Sequence, residues 1–289
     1  MRARVWGCRG SLATPGETTI RYGGNTSCIE VRLDSGDVLV LDAGTGMRPL
    51  GVALEEDPPA EIHVLLSHLH LDHVQGLGFF RPLFRPDAQV HIWGPASPVQ
   101  SLAERLAIYL SPPLFPVRLA DIPAQLTFHD QPEADVPIGS GTIRAGSVTH
   151  QGPTVGWRIE EHGRVLSYLP DHEPVIGVQI DDLGDDWLSG YDVARDADVL
   201  FHDAQYGDEE YPRHVGWGHS SIEHVMGFAR RARADTLVLF HHDPYHSDDD
   251  LETLLDDARR LTNGQVANVC LAHEGMSIDI DKDGTRFVD

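Results

Sequence analysis

Positions 68–73 of this 289-residue chain hold His68, His70, Asp72 and His73, separated only by Leu69 and Leu71. They follow Ile62-His63-Val64-Leu65-Leu66, an apolar run with the length and character of a buried strand. Imidazole and carboxylate without thiolate are ligands for zinc, manganese or iron. In a tight turn off a strand end, His68 and His70 can point to one side while Asp72 and His73 point to another. That split suits two adjacent ions better than one, because a single tetrahedral ion rarely takes four ligands from so short a piece. A lone histidine here would be a hydrogen-bonded core residue; four donors so close together are not explained that way.

His68-x-His70-x-Asp72-His73 after an apolar strand resembles the signature of the metallo-β-lactamase superfamily of binuclear metallohydrolases. The resemblance implies an α/β fold, a four-layered αββα sandwich, with three further ligands downstream, each at a strand end. Three segments match in the family's order. Ile143–Thr149 is expected as a strand ending in His150, which the resemblance places with His68 and His70 on the first ion. Val165–Leu169 leads to Pro170-Asp171, matching the aspartate that bridges the ions, although the family more often has Gly-Asp there. Thr236–Phe240 ends in His241-His242; His241, the first residue beyond the strand, is the expected last ligand beside Asp72 and His73, with His242 the alternative. The implied cofactor is a pair of divalent ions, zinc first, with manganese or iron also compatible. Asp42-Ala43-Gly44 after Val38–Leu41 looks like the family's Asp-x-Gly segment, whose aspartate braces the histidine turn without binding metal.

Two segments resemble the ribonuclease Z-like phosphodiesterases within that superfamily. His202-Asp203-Ala204 is similar to their His-Glu-Ala-Thr, and Gly218-His219-Ser220-Ser221 to their Gly-His-Ser-Thr. There the acid and the histidine cooperate to protonate the leaving oxygen. Asp203 and His219 are thereby implied as catalytic, with Asp72 orienting the hydroxide that the two ions share. As plain sequence, Gly-His-Ser-Ser is a helix start capped by Ser220. Asn25, in Gly23-Gly24-Asn25-Thr26-Ser27, is implied as substrate-facing by the same branch; an ordinary turn is the alternative. Tyr206, Tyr211, His214 and Trp217 lie close in sequence to His219 and are candidates to stack on a base. The implied reaction is hydrolysis of a small phosphodiester, cyclic by preference. The rival reading is a lactonase or other carboxylic ester hydrolase on the same ligands.

The elements that must position these groups alternate between strands and helices. Strands are expected at Arg4–Cys8, Thr26–Leu33 and Gln89–Trp93. Helices are expected from Met47 to about Glu55, over Gln75–Phe80, and from Ser97-Pro98 to about Leu110. Ser111–Pro116, broken by prolines, is either core packing or a lid over the metal site. Without repeats or a flexible linker, a single domain over 1–289 is expected.

The formal charge is −23, from 45 acidic against 22 basic residues, and Lys282 is the one lysine. A field of that sign disfavours long nucleic acid. Ribonuclease Z carries a long basic arm between the ligands matched here by His150 and Asp171, and this interval holds only Arg158 and Arg164. Transfer RNA is therefore a poor substrate. Cys8, Cys28 and Cys270 are too few for a disulfide framework. With no long apolar stretch and no signal-peptide pattern, a cytoplasmic protein without membrane contact is expected. Oligomeric state stays open, a homodimer included.

Overall fold

How side chains alternate along short strands decides the architecture. The computed structural model describes every residue except Ala60, Glu133, Asn263 and Asp289. Its strands are β1 (Arg2–Gly7), β2 (Cys28–Arg32), β3 (Val38–Leu41), β4 (Glu61–Leu65), β5 (Gln89–Gly94), β6 (Gln125–Asp130), β7 (Val136–Ile138), β8 (Gly141–Ser147), β9 (Val155–Glu161), β10 (Arg164–Leu169), β11 (Val199–Asp203), β12 (Thr236–Phe240), β13 (Asn268–Leu271), β14 (Ser277–Asp281) and β15 (Gly284–Val288). The α-helices are α1 (Met47–Ala53), α2 (Leu71–Val74), α3 (Leu102–Tyr109), α4 (Tyr191–Ala194), α5 (Ile222–Ala232) and α6 (Asp248–Leu261). Two mixed sheets form, in the orders β15-β14-β1-β2-β3-β4-β5-β6 and β13-β12-β11-β10-β9-β8-β7.

Leu39 and Leu41 of β3 enter one apolar cluster and Val38 and Val40 another, as a period of two requires. The same split separates Val238 and Phe240 of β12 from Leu237 and Leu239. The middle cluster mixes both sheets, packing Val5, Leu39 and Leu65 with Trp157, Tyr168 and Phe240. Met47, Leu50, Leu102 and Leu106 bring α1 and α3 onto the outer face of the first sheet. Val225, Phe228, Leu251 and Leu255 bring α5 and α6 onto the second. The result is the expected αββα sandwich. Each fully buried Leu or Phe contributes ~1.5–3 kcal/mol, more than an exposed ion pair, so apolar packing sets how the sheets meet.

Parallel pairing joins β3, β4 and β5 in one sheet and β10, β11 and β12 in the other. Their C-terminal ends meet at one rim, where open α/β sheets gather ligands. Two bonds stitch that rim across the sheets: Val155 N–H to Ser67 O (2.9 Å) and Trp157 Nε1–H to Leu66 O (3.1 Å). Among the described residues, no helix is long and apolar enough to cross a membrane.

Three local expectations are corrected. The helix at the histidine run begins at Leu71, inside the run, and Gln75–Phe80 holds only a 3-10 turn at Leu77–Phe79. α3 begins at Leu102 rather than near Ser97, because Ser101 and Glu104 form a reciprocal capping box. Ser111–Pro116 is divided between the two expectations: Phe115 is buried in the outer cluster beside Phe79 and Tyr109, where a side chain at Gly78 would strike its ring, while Leu114 and the three prolines are exposed.

Candidate metal centre

Two groups of donors converge at the shared rim. In the first, the His68 ring centroid lies 4.4 Å from that of His70 and 4.8 Å from that of His150, and His150 Nε2 is 3.2 Å from His70 Nδ1. In the second, His73 Nε2 lies 3.1 Å from Asp72 Oδ2 and 3.3 Å from His241 Nε2. Asp171 stands between them, with Oδ2 3.0 Å from His73 Nε2 and Oδ1 3.3 Å from His241 Nε2, 3.6 Å from His150 Nε2 and 3.9 Å from His68 Nε2. The structure thus brings all seven residues singled out as ligands together. His242 turns away, its Nε2 2.9 Å from Ala272 O, and burial pushes its proton affinity down to about 3.

Bonds from behind decide which nitrogen faces inward. His73 Nδ1–H donates to Asp42 Oδ2 (2.7 Å), His150 Nδ1–H to Gly218 O (2.8 Å) and His241 Nδ1–H to Gln205 Oε1 (3.0 Å). Each ring therefore presents an Nε2 lone pair to the centre. Fully buried Asp42 also accepts from Ser67 N–H (2.7 Å), Ser67 Oγ–H and Tyr168 O–H (both 2.8 Å), so it braces the turn as the resemblance implied. Asp42 and His241 both leave their strands in the left-handed region, at φ 57° and 59°, a conformation that costs ~1–3 kcal/mol and is kept where surroundings over-determine it.

Lone pairs of His73 and His241 facing the carboxylates of Asp72 and Asp171 leave no hydrogen between them. Such a set repels itself unless positive charge sits inside it. His68 Nε2 and Asp171 Oδ2 are also buried without a hydrogen-bond partner. Nitrogen and oxygen donors, no thiolate and one carboxylate reaching both groups fit two divalent ions. The same demand appears at His73: burial opposes its proton, yet Asp171, Asp72 and Asp42 hold its pKa well above the ordinary imidazole value.

A hydrogen-bonded carboxylate–histidine pair abuts the second group. Asp203, buried at the end of β11, accepts from His219 Nδ1–H at 2.7 Å and from the backbone N–H groups of Gln205 and Ser220 at 3.0 and 3.1 Å. The aspartate side chain thus reaches the imidazole directly. The His219 ring stacks on His241 at 5.1 Å and its Nδ1 is 3.9 Å from Asp171 Oδ1. With Nδ1 committed, Nε2 is the free donor. Burial lowers the His219 pKa, but the charge and hydrogen bond of Asp203, with Asp171 and Asp72, raise it to about 9. Bound cations would act in the opposite sense.

His219 lines a groove of ≈ 620 Å³ together with Leu12, Tyr206, His214, Trp217 and Tyr245. His214 stacks on Tyr206 (4.2 Å, 9°), and Trp217, 57% exposed, meets the His214 ring edge-on at 4.9 Å. Tyr211 does not join this wall: its hydroxyl donates to Glu173 Oε1 (2.5 Å) and its ring packs on His224. Asn25 is corrected as well. Its Nδ2–H donates to Glu274 Oε2 (3.0 Å) and its Oδ1 accepts from Thr45 Oγ1–H (2.9 Å), so the amide ties the glycine loop to its neighbours instead of facing substrate. The α5 cap is Ser221, whose Oγ accepts from His224 N–H (3.2 Å), while Ser220 Oγ–H donates to His172 O (2.6 Å).

Two site residues escaped the sequence. Gln205 orients His241, and Ser11 N–H donates to Asp72 Oδ2 at 2.7 Å. The one hint for Ser11 is Gly10 before it, where a Cβ would run into the His241 ring.

The sequence profile of the beta-lactamase superfamily domain matches residues 37–242. Ribonuclease Z of Haloarcula marismortui is 26% identical over 302 residues, covering 87% of this chain and 90% of that one. Uncharacterized protein Rv1339 of Mycobacterium tuberculosis is 29% identical over 278 residues, covering 93% and 90%. Among solved structures, a diphosphatase of the PhnP family superposes with a TM-score of 0.68 at 19% identity, covering 97% of this chain and 98% of that one, a likeness of fold. The chain belongs to the metallo-β-lactamase superfamily, in its ribonuclease Z-like branch.

Proposed function

We propose that this chain is a two-metal phosphodiesterase acting on a small, cyclic phosphodiester. His68, His70 and His150 would hold one divalent ion, Asp72, His73 and His241 the other, and Asp171 would serve both, with zinc the best match to the donors. Ions so held would make a nucleophile available near neutral pH and would neutralise charge at phosphorus. The protein's own residues supply the rest. Asp72, fixed by Ser11 N–H, orients the attacking oxygen. His219, charged by Asp203 behind it, gives a proton from Nε2 to the departing alkoxide.

The observation that carries this reading is the His219–Asp203 bond of 2.7 Å beside Asp171, an arrangement a lactonase does not need. The relatives' names, ribonuclease Z and diphosphatase, also point to phosphorus rather than carbonyl chemistry. RNA processing is less favoured than a small substrate. The hairpin between β9 and β10 turns within His162-Gly163, leaving no arm, and the −23 charge repels a polyanion. The aromatic groove has the size of a small-molecule site. The test is turnover by zinc-loaded protein of cyclic diesters, linear diesters, transfer RNA precursors and lactones. Cyclic diesters should be cleaved fastest; activity on lactones alone would overturn the proposal.

A further inference from the structure

Glu173, two residues beyond Asp171, is fully buried. Its carboxylate is answered by three neutral donors: Oε1 accepts from Tyr211 O–H (2.5 Å) and Gly216 N–H (2.9 Å), and Oε2 from Gly218 N–H (2.8 Å). All three lie in 211–218, the segment that carries His214 and Trp217 and leads into His219. On its other side, Glu173 N–H donates to Thr149 O (3.0 Å), the residue before His150. Gly216 and Gly218 adopt φ of 82° and 87°, open to glycine, and so aim both N–H groups at one acceptor. At Gly218 a Cβ would also strike the His150 ring, whose Nδ1–H bonds the Gly218 carbonyl.

Burying a carboxylate among neutral donors is no better for stability than a well-packed apolar side chain. Packing therefore does not account for Glu173, but its contacts do. One side chain fixes the carbonyl that orients His150, the backbone entering His219 and the loop presenting Trp217. We infer that Glu173 is a positioning residue, which holds 211–218 so that His150 and His219 face the metal centre together. The part concerning His219 rests on its reading as the acid in the proposed phosphodiesterase.

Glu173→Gln keeps the shape but turns one end into a donor facing an N–H group, and Tyr211→Phe removes one donor and leaves the carboxylate. Three readouts apply: amide hydrogen exchange of Gly216 and Gly218, zinc affinity by chelator competition, and turnover of diesters with nitrophenolate or alkoxide leaving groups. In Glu173→Gln the two glycine amides should exchange faster while strand amides keep wild-type rates. Zinc affinity should fall ~10–100-fold, the usual effect of losing a group that orients a ligand. Alkoxide diesters should lose more turnover than nitrophenyl diesters. Tyr211→Phe should show the same pattern at smaller amplitude, and it decides the matter if Glu173→Gln does not fold. Unchanged exchange at the glycines, faster exchange spread over the whole chain, or unchanged zinc affinity overturns the inference. If wild-type protein cleaves no phosphodiester, the exchange and zinc readouts still judge Glu173, and only the phosphodiesterase reading falls.

Discussion

His219 Nδ1 and Asp203 Oδ2 stand 2.7 Å apart, both residues buried, across a separation of 16 positions in the chain. That bond commits one ring nitrogen and leaves the other toward the groove. His219 stands within reach of His150, Asp171 and His241, but the groups His68–His70–His150 and Asp72–His73–His241 each have three donors without it, so substitution should separate metal binding from proton transfer.

His219→Ala should keep both metals and lose ~10²–10⁴-fold in turnover of a diester with a poor alkoxide leaving group. A nitrophenolate leaves as a stable anion and should lose much less. Asp203→Asn should show the same pattern more weakly, since the ring remains but its charge partner is gone. Steady-state rates on the paired substrates, with metal content measured alongside, check this; equal losses on both substrates would remove His219 as the acid.

His68→Ala and Asp171→Asn should each lower bound metal and abolish hydrolysis. Asp171 reaches donors of both groups, so its loss should be felt at both positions, whereas His68→Ala should spare the Asp72, His73 and His241 group. Elemental analysis after exhaustive dialysis measures the difference. Full occupancy with wild-type turnover in either variant is incompatible with the assignment.

His241→Ala should empty the second position, and His242→Ala should leave it filled. His241 Nε2 lies within 3.4 Å of Asp72 and 3.3 Å of Asp171, while His242 spends its Nε2 on Ala272 O. His242→Ala should instead cost stability, because it leaves that buried carbonyl only the weak Cys8 Sγ–H donor at 3.5 Å, a loss of ~1–3 kcal/mol readable by urea unfolding. Metal loss in His242→Ala with retention in His241→Ala would reverse the pair.

The ligand set was legible because each group of ligands follows closely on a strand, and strand ends at one rim are what parallel pairing must bring together; the sandwich was legible only through the family resemblance that those ligands carry. Asn25 was not legible. Gly23-Gly24-Asn25 announces a tight loop, but which way the amide points depends on Glu274, 249 positions away. Tyr211 was misread for a similar reason: proximity to His219 in sequence suggested the groove, whereas its hydroxyl is claimed by Glu173 from 38 positions earlier. The start of α3 was legible and still missed. Ser101-Leu102-Ala103-Glu104 is a capping-box pattern, outweighed in reading by Ser97-Pro98. Ser111–Pro116 has a composition that suits core and surface alike, and only the packing of Phe115 against Gly78 shows which of its residues is buried.

Acid should destabilise the fold through histidines outside the metal centre, and His63 isolates the effect. Its ring is buried in β4, stacks on His91 at 4.7 Å and accepts from Trp93 Nε1–H at 3.4 Å. Burial, with His91 adding to it, lowers its pKa from 6.5 to about 4. Between those two values the unfolded chain binds the proton and the folded chain does not, so stability falls as pH drops through that window and is fully present above it. The slope from this one residue is at most ~1.4 kcal/mol per pH unit. His63→Gln keeps an acceptor for Trp93 but cannot ionise. Urea unfolding of both proteins at about pH 7 and about pH 5 should show the variant losing less stability on acidification. Metal release in acid affects both proteins alike and cancels in the difference. Equal losses would mean that His63 binds a proton as readily folded as unfolded.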